Sequence, residues 1–177
     1  IHHIVSDGWS MGVLIKEIGL LYEAFSAGKL SPLPELPIQY ADFAVWQREW
    51  LQGDVLQEQL EYWKEKLDGS PAALEFPTDR PRPPVMSFRG AALSYQYSAE
   101  LTKALNNLSS REGVTLYLVL LAAFKVLLHR YTGQADISVG TPIANRNMIE
   151  TEQLVGFFAN TLVMRTVLSG NPQFKQL

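Results

Sequence analysis

The sequence contains no cysteine, which excludes disulfides, thiolate metal sites and a cysteine nucleophile together. Histidine is nearly as scarce, with three residues, and there is no excess of one charge: 15 Lys and Arg stand against 18 Asp and Glu. The basic residues are scattered among the acidic ones, so the chain offers no stripe for nucleic acid or an anionic membrane surface. Long hydrophobic runs are missing too. The most apolar stretch, Val114 to Leu128, is broken by Lys125 and is too short to span a bilayer. With no signal-peptide pattern either, a cytoplasmic location is expected. Neither a Gly-rich phosphate loop nor a Gly-x-Ser-x-Gly elbow occurs.

What is present is a globular composition, 47% hydrophobic over 177 residues, enough for one sizeable domain or two small lobes. The chain starts at Ile1 and stops at Gln176-Leu177 without a tail pattern, and reads as an internal piece of a longer polypeptide. Met11, Leu14, Ile15, Ile18, Leu21, Tyr22 and Phe25 recur with the spacing of an amphipathic helix over residues 10–27, capped by Ser6 or Asp7 and closed at Gly28. Tyr40, Phe43, Trp46, Trp50 and Leu51 mark a second helix, and Leu56, Leu60, Trp63 and Leu67 a third that ends at Gly69.

Five prolines between Ser70 and Gly90 exclude helix and central strand there and mark a boundary. Residues 91–97 alternate as a half-buried strand; Ser98 caps a helix closed near Gly113; residues 115–131 form a helix apolar on nearly every face and expected to be buried on most sides. Strands are expected from Asp136 to Thr141 and from Asn160 to Leu168. The fold class is therefore α+β, a mixed two-layer sandwich in two incomplete lobes. Residues 1–69 form the end of a first lobe, 70–90 a linker, and 91–177 the start of a second.

The chemistry concentrates at the start. His2 and His3 precede Asp7-Gly8 and the first helix, on a strand end or strand-to-helix loop from which an imidazole can reach a cleft. Asp7 can brace that loop through a ring N–H, a backbone amide or a distant arginine. Two histidines and a carboxylate are also the donor set of an iron or zinc site. Adjacent side chains on extended backbone, however, point to opposite faces and do not readily share one ion. His129, near the end of a buried helix, suits the helix dipole. Tyr40, Phe43 and Trp46 lie at helical spacing and read as core, and Asp42 as an exposed charge.

Three ordered stretches carry a resemblance. His2-His3-Ile4-Val5-Ser6-Asp7-Gly8 matches the HHxxxDG motif of the condensation domains of nonribosomal peptide synthetases and their chloramphenicol acetyltransferase-like relatives. Tyr40 to Trp46 resembles their YxDFAVW segment, and Val155 to Thr161, with Arg165, resembles VGxFxNT...R. The resemblance implies a two-lobed fold like chloramphenicol acetyltransferase, with a tunnel entered from opposite ends by 4'-phosphopantetheine arms of upstream and downstream peptidyl carrier domains. An adjacent adenylation domain would lie in the same megasynthase of secondary-metabolite and antibiotic biosynthesis. The chain itself would bind no cofactor and no metal.

The implied reaction is amide formation between a donor aminoacyl or peptidyl thioester and an acceptor amine. His3 is implied as the catalytic group, His2 as support, Asp7 as the structural brace, and Gly8 as the residue that permits the turn and a close backbone approach. Arg146 resembles the family position whose guanidinium pairs with the motif aspartate across the lobes, in a bidentate bridge; the bland reading of it is a solvated loop arginine. Gly156 and Asn160 are implied to shape the tunnel floor. Epimerising, ester-forming and starter-acylating relatives, and a noncatalytic carrier-docking module, are the rival readings. The fragment alone is expected to be inactive.

Elementary proton energetics shape the histidine's role. A free imidazole near about pKa 6.5 takes a proton from an amine near about 8 uphill, by about 2 kcal/mol. Once the amine has added to the thioester the transfer runs downhill, so the proton is expected to move during or after attack.

Overall fold

The computed structural model describes all residues except Arg82, which falls within the proline-rich stretch, Asn171, and the side chain of Lys175. The elements are α1 (Gly8–Ser26), α2 (Tyr40–Trp50), α3 (Gly53–Leu67), α4 (Ala99–Glu112), α5 (Leu116–Thr132), β1 (Asp136–Ile143) and β2 (Asn160–Val167), with short 3-10 turns at His3–Val5, Ile149–Thr151 and Phe174–Gln176. The starts of these helices follow from local chemistry. Asp7, Ser98 and Thr115 each sit in extended backbone and accept the amide three residues on, which satisfies a donor that the first turn leaves orphaned. Gly113 and Gly133 close α4 and α5 in the left-handed region, where a Cβ is disfavoured.

Two compact units emerge, Ile1–Asp68 with Gly140–Val163, and Gly69–Val139 with Met164–Leu177. The first packs Phe43 of α2 against Leu154 and Phe158, with Leu36, Ile38, Tyr40 and Met148 around them. Its rings interlock: Phe43 and Phe158 lie 4.7 Å apart, and Tyr40 meets Phe158 edge-on at 5.1 Å. The second buries Leu128 of α5, Ile137 and Leu168 together. There Arg165 forks onto Asp136 from Nη2 at 2.7 Å and Nε at 3.0 Å. That hydrogen bonding lowers the Asp136 pKa against the opposing effect of burial.

β1 and β2 pair as a two-stranded sheet. Leu168 N–H donates to Ala135 carbonyl at one end, and Gly140 faces Thr161 toward the other, so the strands run antiparallel.

Three expectations need correcting. Residues 91–97 form no strand, and Leu93 is almost wholly exposed. Alternation gives a segment two faces, but a strand exists only when a neighbour takes up its backbone groups, and among the described residues none does. Next, α5 buries one face only, with Val119, Leu121, Ala122, Lys125 and Leu128 inside while Leu120, Phe124 and Leu127 stay exposed. A two-stranded sheet is too narrow to cover a helix on most sides. Finally, the apolar stripe of α1 at Ile15, Ile18, Tyr22 and Phe25 is exposed; no described element packs along it.

Candidate active site

His3 stands in a single 3-10 turn, His3–Val5, capped by the His2 ring, whose Nδ1 accepts from Ile4 N–H at 3.1 Å. The His3 Nδ1 lies 2.7 Å from the Ser6 carbonyl oxygen. A carbonyl can only accept, so Nδ1 carries the proton and the neutral ring presents its lone pair at Nε2. The same ring rests 4.8 Å from that of Phe157, tilted by 60°. Among the described residues no group of three or more His, Asp or Glu side chains converges as a metal site.

Asp7 does not touch the imidazole. Its Oδ1 receives Ser10 N–H at 2.8 Å, the Ser10 hydroxyl at 2.8 Å and Arg146 Nη2 at 3.3 Å. Its Oδ2 receives Phe158 N–H at 3.0 Å and Ala159 N–H at 3.2 Å. Burial raises the Asp7 pKa, yet the bonds from Ser10 and Phe158 and the Arg146 charge outweigh it and hold the carboxyl at about 2. The carboxylate thus does two jobs. It caps α1, where the helix dipole favours a negative charge, and it ties that helix start to the 156–159 loop.

Arg146 is no solvated loop arginine, because its side chain is 1% exposed. Its hold on Asp7 is a single Nη2 contact rather than the expected fork, since Oδ2 is taken by backbone amides. Nη2 also donates to Ser10 Oγ at 2.8 Å, and Nη1 donates to the Thr151 and Leu154 carbonyls. Nε has no hydrogen-bond partner, but the guanidinium carbon lies 4.1 Å from the centre of the Phe158 ring. The ring's negative face offsets part of that lost solvation.

Sequence reasoning passed over two polar groups. Ser10, fully buried, accepts from Arg146 Nη2 and from Gly156 N–H at 3.0 Å, and its hydroxyl points between Asp7 Oδ1 and the Gly156 carbonyl at 2.8 Å each. One proton and two lone pairs are all engaged. The signal was its place three residues after Asp7, at the third helical position. Asp42, read as an exposed charge, accepts Gln39 N–H at 2.8 Å and completes a capping box for α2.

Gly8 is the first residue of α1, its φ is not left-handed, and a Cβ there meets nothing within 4 Å. The turn therefore does not require glycine, because the extended Asp7 cap makes it. At Gly156, by contrast, a Cβ would run into the Tyr40 ring. Asn160 opens β2 and lines a cavity of about 540 Å³ with Trp46, Trp50 and Trp63, a cavity that does not reach His3.

The family model for the condensation domain matches residues 1–177, the entire chain. The chain belongs to the condensation-domain family. It is 63% identical over 176 residues to a linear gramicidin synthase protein of Brevibacillus parabrevis, covering 99% of this chain and 4% of that protein. Among solved structures it is similar to the X-domain from teicoplanin biosynthesis (TM-score 0.87, 28% identity, 99% of this chain and 40% of that one). It is likewise similar to a four-domain nonribosomal peptide synthetase bound to AMP and glycine (TM-score 0.85, 27% identity, 99% and 13%). These likenesses carry the chloramphenicol acetyltransferase-like α+β fold as well. The chain spans a small fraction of the synthetases it matches and about 40% of the solved X-domain. No single helix among the described residues is long and apolar enough to cross a membrane.

Proposed function

We propose that this chain supplies the histidine loop and its bracing for peptide-bond formation between two carrier-bound substrates in a complete condensation domain. The observation that carries the reading is the 2.7 Å contact between His3 Nδ1 and the Ser6 carbonyl. With Nδ1 spent on the Ser6 carbonyl, Nε2 is the basic atom, and no described side chain occupies it. The acceptor amine attacks the donor thioester carbon, the C–S bond breaks, and the ammonium proton passes through Nε2 to the leaving thiolate. Amide and thiol are the products. His2 supports the loop by capping its turn, and Asp7 holds it to the 156–159 segment with Arg146 as counter-charge.

Open space beside Gly8 leaves room for the thioester to approach, and Gly156 and Asn160 contribute to the floor of the tunnel. In the complete domain, residues 1–69 end the first lobe, 70–90 link the lobes and 91–177 begin the second. The 4'-phosphopantetheine arms belong to the upstream and downstream carrier domains.

The decisive experiment is His3→Ala in the complete domain with both carriers loaded. General-base catalysis of this kind is worth about 10²- to 10⁴-fold, so the single-turnover rate is expected to fall by that range. An undiminished rate would overturn the reading.

A further inference from the structure

We propose that Phe157 is the positioning residue for the His3 imidazole, a role that rests on the proton-transfer reading above. The motif that brings this segment into the family leaves the position open, as the first unspecified residue of VGxFxNT. Yet Phe157 supplies the ring that meets His3, with centroids 4.8 Å apart and planes tilted by 60°. The bond from Nδ1 to the Ser6 carbonyl restrains one edge of the ring. The Phe157 ring packed beside it adds a second restraint and so helps set the direction in which Nε2 points.

Phe157 is itself held firmly through its backbone. The preceding Gly156 binds Ser10 Oγ through its N–H, the following Phe158 binds Asp7 Oδ2 through its own, and the Phe157 carbonyl accepts the Tyr40 hydroxyl at 2.9 Å. An apolar ring on so firmly anchored a backbone, lying against an imidazole whose Nε2 no described side chain occupies, is placed for contact with that imidazole. Tyr40 then acts one step further back, by holding the Phe157 carbonyl while its ring occupies the space that a Gly156 side chain would need.

The test uses the complete condensation domain with both carriers loaded. Phe157→Leu keeps apolar volume but removes the flat face. It is expected to lower kcat at least about 10-fold with KM for either carrier unchanged, since small misplacements of a reacting group cost rate rather than binding. Phe157→Tyr keeps the ring and is expected to retain most of the rate. Tyr40→Phe loses one hydroxyl and should lie between them.

In ¹³C-histidine NMR spectra, the His3 ring protons, assigned by their loss in His3→Ala, should lose a ring-current shift in Phe157→Leu and keep it in Phe157→Tyr. A wild-type kcat and an unshifted His3 signal in Phe157→Leu, alongside an inactive His3→Ala, would overturn the positioning role alone. A fully active His3→Ala would overturn the proton-transfer reading and this role with it. If Phe157→Leu does not fold, Phe157→Tyr and Tyr40→Phe decide: loss of the His3 ring-current shift in Phe157→Tyr, or a wild-type rate in Tyr40→Phe, counts against it.

Discussion

At the scale of single residues, the site depends on a carboxylate that never meets the imidazole it serves. Asp7 spends both oxygens on amides, a hydroxyl and a guanidinium, and its pKa is held at about 2 against a reference of 3.8. A depressed acid stabilises the folded state above the unfolded pKa, and that stability disappears as the pH drops toward the folded one. Denaturant midpoints are therefore expected to hold steady above about pH 5 and to fall between about pH 4 and 2. Asp7→Asn should be less stable at neutral pH, because it leaves the Arg146 charge buried without its partner, and should show a shallower acid limb. Urea titrations of both proteins from about pH 7 to about pH 2.5 check this; equal acid slopes would remove Asp7 as the cause.

At the scale of elements, α2 links the family's YxDFAVW segment to the histidine loop. Its inner face sends Phe43 into the core and Tyr40 to the Phe157 carbonyl. Its start depends on the Gln39–Asp42 box. Asp42→Ala is expected to destabilise by about 1 kcal/mol, the usual worth of a helix cap, and to loosen the Tyr40 end of the helix first. Hydrogen exchange should show faster amides over residues 40–43 while the later turns of α2 remain protected. Uniform acceleration along the helix would mean that the box does not act locally. Spacing alone placed Asp42 on the solvent side, because periodicity reports which face a residue occupies and not which backbone amide its side chain reaches.

At the scale of the whole chain, accessible surface is the informative quantity. The protein exposes 14263 Å². Even two separate compact bodies of half its mass would expose only about 10,400 Å² by the surface scaling of folded proteins. Exposed apolar side chains such as Ile18 and Phe25 on α1 and Phe124 and Leu127 on α5 contribute to the excess. Exposed patches of this kind call for cover, and the solved relatives are longer chains. The 177-residue piece on its own is expected to bind a hydrophobic dye such as ANS, to unfold at low denaturant, and to form no amide with loaded carriers. The complete domain should lose the dye signal. A dye-silent piece that condenses loaded carriers would show that these faces need nothing more.

The helices were legible in the sequence because they rest on short-range chemistry. Caps at Asp7, Ser98 and Thr115, glycines at 113 and 133, and the spacing within α2 act over about three to five residues, and the structure places those helices within a residue or two of expectation. The family was legible for a similar reason: the ordered segments at residues 2–8, 40–46 and 155–161 are local strings. The resemblance also paired Asp7 with Arg146, but the other partners were not legible. That Asp7 turns away from His3, that Ser10 joins Asp7, Arg146 and Gly156, and that Phe157 is the ring on His3 depend on groups far apart in the chain, 146 residues for Ser10 and Gly156. The failed strand at 91–97 shows the same division. Residue pattern set its alternation, but hydrogen bonds to a neighbouring strand make a sheet, and only the tertiary structure decides whether that neighbour is there.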